Sequence, residues 1–73
     1  MATSDEETRR NIHLAEVSLA SNVYPLSTVA AARAALDTAG QARADGDGAA
    51  ALTASELALR ILADTLRQPL PPP

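Results

Sequence analysis

Residues 29–61, VAAARAALDTAGQARADGDGAAALTASELALRI, are dominated by alanine and interrupted by an Asp-Gly-Asp-Gly cluster. Alanine is the best helix former, yet its methyl buries little area. A chain built this way favours helices that approach closely around a thin core, because interaxial distance follows the side chains at the contact. The remaining residues do not thicken that core: there is no Phe or Trp, one Tyr, and a large share of the 47% apolar content is alanine. A chain of 73 residues makes at most one domain and buries too small a fraction of its surface to be stable without good packing, a staple or a partner. With no cysteine, neither a disulfide nor a thiolate metal site can act as the staple. Oligomerisation or partner binding is the natural remedy.

The hydrophobic pattern predicts three helices. Ser4 and Glu7 have capping-box spacing, and Asp5, Glu6 and Glu7 suit the positive end of a helix dipole, so the first helix is expected over about 5–22. Thr8, Ile12, Ala15, Leu19 and Val23 share one face at a 3.6-residue period, with Leu14, Val17 and Ser21 roughly opposite. Asn22 and Pro25 are expected to end it. Ser27 or Thr28 is expected to cap a second helix over about 28–44, burying Val29, Ala32, Ala35, Leu36, Ala39 and Ala42 and leaving Arg33, Asp37 and Gln41 in water.

A third helix, about 48–67, is expected to start from Asp47 and to stop before the proline-rich PLPPP. Leu52, Ser55, Leu59, Leu62 and Leu66 recur at heptad-like spacing and predict a seam against the second helix. Leu57 and Ile61, with Ala50 and Ala54, make a second apolar strip on the other side, and Thr53, Glu56, Arg60, Asp64 and Arg67 a polar one with a Glu56–Arg60 pair. The predicted fold is all-α: a three-helix bundle built on an antiparallel helical hairpin. Residues 1–4 form an N-terminal tail, 5–68 the domain and 69–73 a proline-rich tail, a polyproline II segment that acts as a stiff end or as a ligand for an aromatic groove.

Asp45, Asp47 and Glu56 outline a calcium-binding helical loop, which needs oxygen ligands at its positions 1, 3 and 5, glycine at 6 and glutamate at 12. Counted from Asp45, positions 5 and 6 are Ala49 and Ala50, so the segment reads as a turn in which glycines bend the chain and aspartate caps a helix. His13, the sole histidine, reads as a solvated surface residue, and Glu16 and Glu56 as lone carboxylates. No catalytic residue, cofactor or metal is expected, and the chain is not read as an enzyme.

Gly46 to Ile61, GDGAAALTASELALRI, resembles the turn and second helix of a tetratricopeptide (TPR) repeat. Ala51, Leu52, Ala54, Ala58 and Leu59 stand where that pattern places small and aliphatic packing residues, while Ser55 stands where an aromatic is usual. The resemblance covers about sixteen residues, room for one unit where solenoids stack about three. It implies an antiparallel helical hairpin and a role in protein binding.

Six basic residues, all arginine, against nine acidic ones give a net charge of −3, the wrong sign for a nucleic-acid partner. No apolar run reaches the roughly 18 residues of a membrane span, and MATSDEETRR lacks the features of a signal peptide. The expectation is a cytoplasmic protein, and the arginine and alanine bias suggests a bacterial one. The expected function is non-catalytic protein interaction through apolar helix faces, as a homo-oligomer or a small adaptor. Leu14, Val17, Tyr24, Leu57 and Ile61 are its expected contact residues, since a single hairpin leaves apolar positions uncovered. The alternative is an accessory or regulatory subunit of a larger enzyme complex.

Overall fold

The computed structural model describes residues 3–21 and 23–67, which form three helices: α1 Ser4–Ala20, α2 Leu26–Ala44 and α3 Gly48–Arg67. Among the described residues there is no strand, and the architecture is an all-α three-helix bundle. Asn22 and the proline-rich 69–73 lie outside the described residues.

TSDEE offers two successive N-cap residues, Thr3 and Ser4, and the earlier one is used. Thr3, with an extended backbone, accepts a hydrogen bond from the Glu6 N–H at 3.1 Å, so Ser4 is the first helical residue, not the cap or part of a tail. The helix ends at Ala20, and the Ser21 hydroxyl donates to the Ser18 carbonyl at 2.6 Å. The expected capping of α2 by Ser27 or Thr28 is also corrected. Pro25 is the N-cap, without a side-chain bond, and its carbonyl accepts from the Val29 N–H at 3.1 Å. Thr28, released from capping, places its hydroxyl 3.1 Å from that of Thr65 and ties the start of α2 to the end of α3.

Between α2 and α3 the Asp-Gly-Asp-Gly cluster makes a compact turn. Gly46, at φ 79°, donates to the Arg43 carbonyl at 3.1 Å, and Asp47 donates to the Ala42 carbonyl at 2.8 Å. These two bonds are the Schellman pattern that satisfies the last carbonyls of a helix. Asp47 then accepts the Ala50 N–H at 3.1 Å and caps α3, as the sequence predicts.

Helix α3 is the centre of the bundle. It packs most extensively on the antiparallel α2 and next on α1, while α1 and α2 touch only slightly. Near the start of α1, Asp5 accepts from Arg43, at the end of α2, at 3.0 Å; both are exposed, so solvent screens the pair and it contributes little. On the polar strip of α3 the ion pair formed is Arg67 with Asp64 at 3.4 Å, in place of the expected Glu56–Arg60.

The core joins Ala15 and Leu19 of α1, Ala32 and Ala35 of α2, and Ala58 and Leu62 of α3, with Tyr24, Val29, Leu36, Leu59 and Ile61 packed partly buried around it. Its largest fully buried side chains are Thr8 and Ser55. Both hydroxyls donate back to their own helix, Thr8 to the Ser4 carbonyl and Ser55 to the Leu52 carbonyl, each at 2.8 Å. Burial therefore costs them no lost hydrogen bond.

The heptad seam of α3 is corrected as well. Ser55 accepts a hydrogen bond from Asn11 of α1 at 3.2 Å, so the seam meets α1 at Ser55, while its Leu62 lies in the core that α3 shares with both α1 and α2. The residues buried on α3 are Ala51, Ala54, Ser55, Ala58 and Leu62; Ala54 lies inside rather than on the second strip, and Leu66 is exposed. The physical reason is size: small side chains fill the closest approach between helices, and the bulkier leucines are displaced to the rims.

Candidate interaction surfaces

Alanine fills most of the fully buried positions of this bundle, and its large aliphatic side chains are mostly half-buried or exposed. Among the described residues two large aliphatic ones, Leu19 and Leu62, are buried among seven alanines, whereas six, Leu14, Val17, Val23, Leu26, Leu57 and Leu66, are exposed. Isolated exposed aliphatics are ordinary, but rows of them on helices mark contact surfaces.

Two interhelix bonds locate these residues. Residues three and four apart are neighbours on a helix surface. Leu14 follows Asn11 by three residues, and Leu52 and Leu59 stand three before and four after Ser55. The Asn11–Ser55 bond therefore lies between Ala15 and Ala58 of the core and a row of Leu14, Leu52 and Leu59, of which Leu59 packs partly against the core, and which Leu66 extends along α3. Leu52 and Leu59 are half-buried, Leu14 is 48% exposed and Leu66 65%.

Leu57 and Ile61 precede Thr65 by eight and four residues, and Thr65 meets Thr28 of α2, so they line the opposite, α2-facing flank of α3. Leu57 is 46% exposed, while Ile61 is half-buried against the core. Val17 is exposed on α1, three residues beyond Leu14. Tyr24 packs partly buried against the core from the corner between α1 and α2. The five expected contact residues thus do not form one surface: Leu14 and Leu57 lie on opposite flanks of α3. Leu52, Leu59 and Leu66, expected in a buried seam, instead form a rim; their seven-residue spacing is the signal that marks a continuous strip.

The slight contact of α1 with α2 leaves a shallow open cleft between them, lined by Glu16, Leu19, Ala20, Arg33, Leu36 and Asp37. On the outer side of α1, Glu6, Arg9, Arg10 and His13 form a solvated charged cluster. Among the described residues no three His, Asp or Glu side chains gather as metal ligands, and no helix is long and apolar enough to cross a membrane. Asp47 serves as a helix cap, and Glu56 is exposed farther along α3.

Fold and surface together define an alanine-packed three-helix bundle with aliphatic side chains on its rims. Compared with known proteins, the chain matches no family model, no curated protein and no solved structure.

Proposed function

We propose that this domain is a non-catalytic protein-interaction module that acts through apolar helix faces, by self-association or as a small adaptor, in a bacterial cytoplasm. The observation that carries the reading is the exposed aliphatic surface: among the described residues two leucines are buried, while six large aliphatic side chains are exposed. At roughly 25 cal/mol per Å² of apolar surface removed from water, covering several such side chains would add stability that an alanine core cannot supply alone. The resemblance of Gly46–Ile61 to a TPR hairpin supports the same class of function.

Self-association is tested by the thermal midpoint at several protein concentrations. Anything that binds only the folded chain stabilises it by mass action, so a self-associating domain melts at lower temperature on dilution. A midpoint independent of concentration would contradict self-association.

A further inference from the structure

We propose that the outer α1–α3 rim is the contact between two copies of this chain, which meet with their α3 helices antiparallel about a two-fold axis at Leu59. This rests on the self-association reading above and specifies its surface and partner.

The first support is the row itself. Leu52, Leu59 and Leu66 recur every seven residues, the spacing at which apolar side chains form a seam between two helices. The Asn11–Ser55 bond sets Leu14 at the height of Ala58, beside Leu59 in the middle of that row. With the axis at Leu59, the Leu14 and Leu59 side chains of both copies meet at the centre. Leu52 of each copy then faces the partner subunit's Leu66. A two-fold contact requires the same patch on both copies to be self-complementary, and a row symmetric about its middle leucine satisfies that condition.

The second support is charge. Glu56 and Arg60 stand three before and one after Leu59, on the solvent side of the row, and both are exposed. They have the spacing of a helix-supporting pair, yet the ion pair on α3 is Arg67 with Asp64. In the antiparallel arrangement Glu56 lies within one helical turn of the partner subunit's Arg60, and symmetry repeats the pair. Opposite charges therefore flank the leucines on both sides of the axis, the complementarity that fixes register in paired helices. The Leu57 flank lies on the other side of α3, and the α1–α2 cleft carries two acidic side chains against one arginine.

The chain has no cysteine, so single-cysteine variants report the contact without background. Leu59→Cys, treated with a short bis-maleimide, is expected to give a covalent dimer at concentrations where Leu57→Cys remains uncrosslinked. Leu59 is half-buried, so exposed positions supply an independent test. Glu56→Arg and Arg60→Glu are each expected to weaken dimerisation roughly tenfold without loss of helicity, and the double variant to restore it. Dimers that crosslink through Leu57→Cys but not Leu59→Cys, or that ignore the charge reversals, would overturn this surface and leave self-association standing. A wild-type chain that stays monomeric would overturn both.

Discussion

Asn11 of α1 donates through Nδ2 to the hydroxyl oxygen of Ser55 on α3 at 3.2 Å, and the fully buried Ser55 donates its own proton to the Leu52 carbonyl at 2.8 Å. This chain of two bonds crosses the α1–α3 contact beside an alanine-rich core. It sets the rotation and height of α1 on α3, which apolar methyls alone define poorly.

Ser55→Ala is expected to cost about 1 kcal/mol, the net worth of a buried neutral hydrogen bond. Ser55→Leu is expected to cost more, about 1–3 kcal/mol, because a fully enclosed site has no room for added methylenes. Urea unfolding of both variants checks the order. Equal stability, or a stabilised leucine variant, would mean that α1 does not pack as described.

The thin core concentrates stability in few side chains. Leu62 is 3% exposed and one of two buried leucines, so Leu62→Ala is expected to cost about 2–5 kcal/mol and to abolish cooperative thermal unfolding. Leu26→Ser, at an 83% exposed position, is expected to stay within about 0.5 kcal/mol of the parent. Circular dichroism melts of the two variants compare them directly.

Gly46 and Gly40 should respond oppositely to the same change. Gly46 sits at φ 79°, where a Cβ is strained, so Gly46→Ala is expected to destabilise by about 1 kcal/mol despite open space around it. Gly40 lies within α2, where an added methyl would meet no neighbouring atom, and Gly40→Ala is expected to stabilise by about 0.5–1 kcal/mol. Melting temperatures moving in the same direction would contradict the turn geometry.

The start of α1 can be assigned by substitution. Thr3→Ala removes the side chain that accepts the Glu6 N–H and is expected to cost about 0.5–1 kcal/mol, whereas Ser4→Ala is expected to be nearly neutral. Amide exchange at Glu6 reads the effect locally, and faster exchange only in the Ser4 variant would restore the later cap.

Much of this architecture is legible in the residues themselves. Asp47 as a cap and the buried row of Ala32, Ala35 and Ala39 follow from local chemistry and helical period, and the structure holds both. The caps of α1 and α2 slip by one to three residues because TSDEE and PLST each offer more than one start of similar cost. The seam is a different kind of miss. Periodicity shows that Leu52, Leu59 and Leu66 share a side of α3, but not which helix lies beside it. That choice depends on side-chain volume across three helices, and alanine's fit at the closest approach decides it. Likewise Leu14 and Leu57 both read as uncovered, while their placement on opposite flanks emerges only from Asn11–Ser55 and Thr28–Thr65.

The most direct test of self-association through the aliphatic rims is the molar mass in solution across a wide dilution series. Self-association predicts a multiple of the 7.5 kDa chain mass that falls toward the monomer on dilution. A mass of 7.5 kDa at every concentration, in a chain that remains fully helical, would contradict it.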